Sequence, residues 1–399
     1  MNTAKGLLKG MKVLDLTRVL AGPYCGMMLA DMGADVIKIE NPSTGDDSRL
    51  NFPIVKGESA YFMNLNRNKR GITLNLKHPK GKEIFIELVK KADIVLENYR
   101  PGVMEKLGLG YEDLRKINPK IIYGAVSGFG HFGPYSQRAG YDIIGQAMSG
   151  LMSTTGWPGG EPTRTGTAIS DVLGGLNCCI GVLAAYSNML KTGEGEKIDI
   201  SLVDSTVSAL EIINMIYLCT GRTPERIGNR YEAVYPYDTF PTKNGDLVIG
   251  AGNNKLFSLL INVMGQPELL ENPLFSDNNL RVINHAKLKP IIVEWLKDKD
   301  LDETVQVLLD AGIPAAPINT IDRVTKDPHI AGAREMFPDC DHPKAGKIKL
   351  TGNQIKLTNN KIDTFKPSPL LGQHNYDILN EILGISKEEV QKLKEDKVI

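Results

Sequence analysis

Apolar positions in the first third of the chain fall into short runs separated by longer stretches of mixed polarity. Lys12–Leu16, Asp35–Glu40, Ile72–Leu76, Ile94–Glu97 and Ile121–Ala125 are rich in Val, Ile and Leu and predict strands. Between them, Tyr24–Met32 (closed by Gly33) and Pro79–Lys91 carry helical spacing, and a further helical region runs through Arg115. In Gly81–Lys91 the apolar stripe is Ile84, Ile86 and Leu88, with Lys82, Glu83 and Lys90 outside it. Strands alternating with helices of this length predict parallel βαβ units. Further on, Asp171–Leu190 predicts a long helix, Lys197–Ser201 a strand and Ser205–Leu218 a second helix. Leu247–Ala251 predicts a strand among several helices. The stretch from Gly346, with IKLTGNQIKLT, predicts two short strands before a closing helix pair.

At 399 residues the chain is too long for one ordinary core. The pattern divides it into a large α/β domain over 1–205, a linker over 206–236, a smaller α+β domain over 237–330, and a closing segment over 331–399. Lys+Arg and Asp+Glu both number 47, so no basic footprint for nucleic acid exists at the scale of the whole chain. The five cysteines, at 25, 178, 179, 219 and 340, include no CxxC spacing, and Cys178 and Cys179 are expected to point different ways on a helix. We read them as reduced, mostly buried thiols of a cytoplasmic protein. The start, MNTAKGLLKGMK, lacks the apolar core of a signal peptide, and no uninterrupted apolar run approaches the length of a membrane span.

The stretch TGTAISDVLGG, 165–175, carries the most chemistry. Asp171 falls in the first turn of the long helix, where free N–H groups favour an ionised carboxylate. Gly174 and Gly175 leave the helix surface bare for a ligand or another backbone. Such a carboxylate is a candidate covalent nucleophile. The plainer alternative is that Ser170 or Asp171 caps the helix and the glycines serve packing. A second stretch, 21–40, is a strand–helix–strand unit with Gly22-Pro23 at the helix head, where anions bind well. Arg67, Lys69, Arg70, Asn98, Arg100, Lys106 and Arg138 fall mostly after strands and are candidate phosphate ligands. The six histidines show no metal-binding spacing, and neither GxGxxG, Walker A nor GxSxG occurs, so no metal site and no permanently bound cofactor is expected.

Taken together these stretches resemble the family III CoA-transferases, the group that includes formyl-CoA transferase and carnitine CoA-transferase. The matching segments are LAGPYCGMMLADMGADVIKIENPSTGDDSR (20–49), LNRNKRGITLNLKHPKGKE (65–83), ADIVLENYRPGVMEKLGL (92–109), GYDIIGQAMSGLMSTTG (140–156), TGTAISDVLGG (165–175) and KTGEGEKIDISLVDS (191–205). They continue with GIPAAPINT (312–320), DPHI (327–330) and PLLGQHN (369–375). The resemblance implies a Rossmann-like large domain built from both chain ends, a small inserted domain, and a homodimer of two interlocked rings. It implies that Asp171 is the nucleophile in moving coenzyme A from an acyl-CoA to a free carboxylic acid through aspartyl anhydride and aspartyl-CoA thioester intermediates. It assigns CoA contacts to Val19, Ala21, Asn98, Tyr99, Lys106 and Arg138. It places Leu20 and Tyr141 near the acyl group, and Gly250, Gly252 and Asn253 in a glycine-rich lid. Leu20 stands where formyl-CoA transferase has a glutamine, which suggests an acid other than oxalate.

Two rivals remain at this level. An α-methylacyl-CoA racemase of the same fold needs two acid/base groups, and its histidine segment GHD reads Gly140-Tyr141-Asp142 here. A tyrosine hydroxyl, ordinarily titrating near ~10, is a poor base at neutral pH. A non-catalytic CoA-binding protein is the other, and the intact Asp171 segment speaks against it.

Overall fold

The computed structural model describes residues 6–363 and 365–399, and divides into two compact units. The larger comprises 1–151, 164–218 and 329–399; the smaller comprises 152–163 and 219–328. Residues 206–218 are therefore part of the large unit rather than a linker, because they fold as helix, and 219–236 belong to the small unit.

The large unit is organised by six parallel strands: β1 (Lys12–Asp15), β2 (Asp35–Glu40), β3 (Arg70–Thr73), β4 (Ile94–Glu97), β5 (Ile122–Ser127) and β6 (Lys197–Ser201). Their order is β3-β2-β1-β4-β5-β6, with Leu14 of β1 facing Ile37 on one side and Val95 on the other. The order reverses between β1 and β4, so a crevice opens beyond the carboxyl ends of those two strands.

The helices that follow the strands include α1 (Ala21–Asp31), α2 (Pro79–Val89), α3 (Tyr111–Ile117), α4 (Asp142–Met148), α5 (Ile169–Thr192), α6 (Leu202–Ala209) and α7 (Glu211–Thr220). Alternate strand residues feed two cores, as a sheet covered on both faces requires. Leu14, Ile37, Val95 and Tyr123 pack with Phe85 and Leu88 of α2 and Leu114 of α3. Val13, Val36, Ile94 and Ile122 pack with Met28 and Leu29 of α1 and Cys178 and Val182 of α5. By length and composition alone α5 would suit a membrane. Its apolarity is accounted for in part by packing on the sheet and α1.

The single helix expected over Ser205–Leu218 is instead α6 and α7, bent by 77° at Glu211, whose φ is 34°. The candidate phosphate ligands Arg67, Lys69 and Arg70 are spent within the fold. Arg67 pairs with Asp31 at 2.6 Å, buried Lys69 with Asp15 at 2.8 Å, and Arg70 with Asp35 at 2.6 Å. Cys178 and Cys179 both reach the thiol of Cys25 rather than diverging from each other, and none of the five cysteines is in a disulfide.

The small unit has an antiparallel sheet, β7 (Tyr237–Pro241), β8 (Asp246–Gly250) and β9 (Ala315–Pro317), in the order β9-β8-β7. Helices α8 (Asn254–Met264), α9 (His285–Leu296) and α10 (Leu301–Asp310) close its core around Phe240, Leu247, Phe257, Leu260, Ile292 and Leu308. The return segment begins with a hairpin, β10 (Asp339–His342) and β11 (Gly346–Lys349). Only the first of the two strands expected after Gly346 forms, and it pairs backwards with β10; Asn353 turns the chain by accepting from the Ile355 N–H at 2.7 Å. Helices α11 (Asn375–Leu383) and α12 (Lys387–Glu395) then complete the core containing Leu14 and Phe85.

Candidate active site

The crevice at the reversal point holds a cavity of about 340 Å³. Val19, Leu20 and Ala21 enter it from the loop after β1, Asn98 and Tyr99 from the loop after β4, and Arg138 and Tyr141 from the loop after β5; Asp171 enters from the head of α5. The sequence-predicted residues Val19, Leu20, Ala21, Asn98, Tyr99, Arg138, Tyr141 and Asp171 are thus brought to one place. A second cavity of about 230 Å³, lined by Lys38, Asn41 and Lys77 among others, shares Arg18, Tyr99 and Val103 with the first.

Lys106 stays outside both linings; it ends the short helix Val103–Lys106 with its side chain exposed. Gly250, Gly252 and Asn253 lie in the small unit. There the Gly250 N–H donates to Pro314 O, Gly252 O accepts from buried Arg281 at 3.0 Å, and Asn253 caps α8 by accepting from Leu256 N–H at 2.8 Å.

The α5 head differs from the simple cap anticipated above. Its N-cap is Ala168, with no side-chain cap, and neither Ser170 nor Asp171 fills that role. Asp142, the first residue of α4, does so from outside: its Oδ1 accepts from Ser170 N–H at 2.8 Å and its Oδ2 from Gln146 Nε2 at 2.7 Å. Gln146 in turn accepts from Thr165 N–H at 2.9 Å. These bonds fix the turn that presents Asp171, a role that the sequence reading, which named Asp142 only within the Gly140-Tyr141-Asp142 segment, did not assign to it.

The Asp171 carboxylate itself has no hydrogen-bond partner among the described residues. Burial, then the charge of Asp142, push its pKa up to about 7. Ionisation by the helix head is therefore not what dominates here. One free N–H of the α5 first turn is already committed to Asp142, and the second carboxylate opposes a second charge. Burial, then the charges of Asp171, Asp46 and Asp142, push the nearby Tyr61 hydroxyl up to about 12.

Gly174 and Gly175 of α5 serve packing. A Cβ on Gly175 would stand 2.5 Å from the Ala21 carbonyl oxygen, and one on Gly174 would stand 2.7 Å from Leu202 Cδ2. The Gly175 approach sets the head of α1 against α5 one turn from Asp171. At that head the N–H groups of Ala21 and Gly22 donate to no acceptor among the described residues, and Pro23 has none to offer.

The rest of the wall is built by the loops bonding one another. Asn98 accepts from Arg18 N–H and donates to Arg18 O, both at 2.7 Å. Arg18 also reaches Asp47 at 3.2 Å, and its guanidinium lies 5.7 Å from the Tyr99 ring centre. Arg138 stacks on Tyr135 at 3.6 Å. Beneath them Glu97 is buried, its carboxyl raised to about 8 by burial, with Tyr99 N–H donating to it at 2.7 Å. Tyr141 is 72% exposed.

Comparison with known proteins identifies the family. The sequence profile of CoA-transferase family III matches residues 8–375. The succinyl-CoA:glutarate CoA-transferase of Homo sapiens is 40% identical over 394 residues, spanning 98% of this chain and 90% of that protein. The acetyl-CoA:oxalate CoA-transferase of Acetobacter aceti is 42% identical over 355 residues, 89% of this chain and 90% of that protein. Among solved structures, a CAIB/BAIF family protein from Brucella suis superimposes with a TM-score of 0.83 at 38% identity, covering 95% of this chain and 100% of that one. With the family profile running nearly end to end and relatives of this identity over almost the full length, the chain belongs to CoA-transferase family III.

Proposed function

We propose that this enzyme moves CoA from an acyl-CoA donor to a free carboxylate with Asp171 as the covalent nucleophile. The observation that carries this reading is the Asp171 carboxylate, held without a hydrogen bond among the described residues, in the cavity at the strand-order reversal; the other lining carboxylate, Asp47, is paired with Arg18. An Asp171 oxygen attacks the thioester carbonyl; the C–S bond breaks, giving an aspartyl–acyl anhydride and CoA thiolate. The thiolate attacks the aspartyl carbonyl, releasing the donor carboxylate and leaving an aspartyl-CoA thioester. The acceptor carboxylate then attacks that thioester, re-forming an anhydride and the thiolate. Attack of the thiolate on the acceptor carbonyl yields the new acyl-CoA and restores Asp171. No water is consumed, so the walls must exclude it from the anhydrides. The free N–H groups of Ala21 and Gly22 are available to carbonyl oxygens that gain charge. A carboxyl with a pKa of about 7 is a stronger nucleophile than an ordinary one and is still half ionised at neutral pH.

CoA enters this scheme as substrate, with Val19, Ala21, Asn98, Tyr99 and Arg138 along its path. Lys106 would meet only the outer end of the nucleotide, since it lies beyond both cavity linings. We read the acids as dicarboxylates. Arg18, Arg100 and Arg138 line the cavity with Asp171, and several relatives are named for succinyl-CoA with glutarate, citramalate or mesaconate. We further propose a homodimer, in which a second copy covers the apolar surface of α5 and α7, and a cytoplasmic setting for the free thiols.

Asp171→Ala should lose transfer from succinyl-CoA by at least about 10³-fold while keeping the fold, as removal of a covalent nucleophile does. Hydroxylamine added during turnover should label Asp171 in the wild type only. Persisting turnover in the alanine variant, or an unlabelled Asp171 peptide by mass spectrometry, would end the proposal.

A further inference from the structure

One wall of the cavity is held in a conformation its sequence disfavours. Val19 has φ 67°. Among the described residues six non-glycine residues have positive φ, and Val19 is the only β-branched one. A branched Cβ in the left-handed region crowds the neighbouring peptide, so such a residue persists only where its surroundings over-determine it.

The surroundings here are a buried ion pair. Val19 N–H donates to Asp46 Oδ1 at 3.1 Å, and Asp46 Oδ2 accepts from Lys38 Nζ at 2.7 Å. Neither side chain of that pair is exposed. Lys38 Nζ also donates to Thr17 O, two residues before Val19. Asp15 holds the Thr17 N–H at 2.9 Å, and Ser48 donates to Asp46 Oδ1 through both its N–H and its hydroxyl. Burial alone would raise the Asp46 carboxyl, but Lys38 and the Ser48 bonds outweigh it and hold it well below the usual range. The Lys38 pair thus favours the charged carboxylate, the form that accepts from Val19 N–H.

We propose that Asp46, fixed by Lys38, is a positioning residue for CoA transfer: it holds Val19 in the left-handed turn and so sets the Val19–Ala21 wall facing Asp171. The proposal rests on the CoA-transfer reading for its kinetic arm and on the conformation alone for its stability arm.

Asp46→Ala frees the loop to relax to negative φ. Misplacement on the scale of an ångström costs about 10²-fold in kcat. We expect a loss of that order, with the circular-dichroism spectrum retained. Adding Val19→Gly should recover about tenfold of it, because glycine adopts φ 67° without a clamp. A double variant no faster than Asp46→Ala, or wild-type kcat in Asp46→Ala, overturns the positioning role. Because Asp46→Ala leaves Lys38 buried and unpaired, the second arm uses the intact clamp. In otherwise wild-type protein, Val19→Gly should melt above Val19→Ala, the reverse of the usual order at negative φ. Alanine melting above glycine refutes the strained turn whatever the enzyme proves to catalyse. If glycine melts higher but Asp171→Ala stays active, the turn stands and the reaction scheme falls.

Discussion

At the scale of single residues, the Asp171 carboxyl makes the sharpest prediction. Its pKa of about 7 in the folded protein lies above the ordinary 3.8. Nucleophilic attack needs the ionised form, so kcat/KM should fall on the acid side with a midpoint near 7. Asp142→Asn removes the second cause of the shift and should move that midpoint to lower pH. Stability carries the opposite sign. Between 3.8 and about 7 the folded state binds a proton that the unfolded state has lost, so stability declines as pH rises through that window and the cost is complete above it. Asp171→Asn should therefore be more stable than wild type at pH 8, by about 1–2 kcal/mol once partial solvent access is allowed for. The gain should vanish near pH 4; denaturant melts at both pH values decide it. An equal gain at both values would show that the carboxyl is not buried against a like charge. The residue type and its place at a helix head were legible in TGTAISDVLGG, but its ionisation was not. That depends on Asp142, 29 residues earlier, which only the fold brings to the same turn.

At the scale of elements, the contact between α1 and α5 decides whether the site exists. Gly175 and Gly174 look equivalent in the sequence, yet the two should respond differently to alanine. At Gly175 the obstacle is the Ala21 carbonyl, a piece of backbone 2.5 Å away, whereas at Gly174 it is the tip of Leu202. Overpacking against backbone costs about 1–3 kcal/mol or more, and a leucine can rotate away at less cost. Gly175→Ala should lower the melting temperature and transfer activity together; Gly174→Ala should lower both far less. Thermal melts and initial rates on the two variants check this, and equal losses would contradict it. The strands were readable because short runs rich in Val, Ile and Leu, such as VIKIE and IVLE, mark strands. Other features were not readable, since they depend on partners distant in the chain. The bend at Glu211 interrupts a continuous helical pattern, and β11 finds its partner upstream. Arg67, Lys69 and Arg70 read as ligand cations until Asp31, Asp15 and Asp35 are seen beside them.

At the scale of the whole molecule, the chain has zero formal net charge and carries apolar surface that a solitary subunit would leave in water. Ile180 and Leu190 of α5 are each 66% exposed, and Tyr217 and Leu218 of α7 are 56% and 72% exposed. A second copy seated there would bury these side chains, and the resemblance to interlocked family members supplies the form of the proposed dimer. Two threaded rings separate only if one chain opens, so their exchange is limited by unfolding rather than by an interface off-rate. Light scattering should give twice the 43.8 kDa chain mass at all accessible concentrations. Two differently tagged populations mixed without denaturant should form no mixed dimers over days, whereas co-refolding from denaturant should give about half. Ile180→Glu should yield little soluble protein, because the charge would enter the proposed interface during assembly. Mixed dimers appearing within minutes would rule out threading while leaving an ordinary dimer. A monomeric mass would remove the second copy altogether, leaving the apolar faces of α5 and α7 to be covered by something other than this chain.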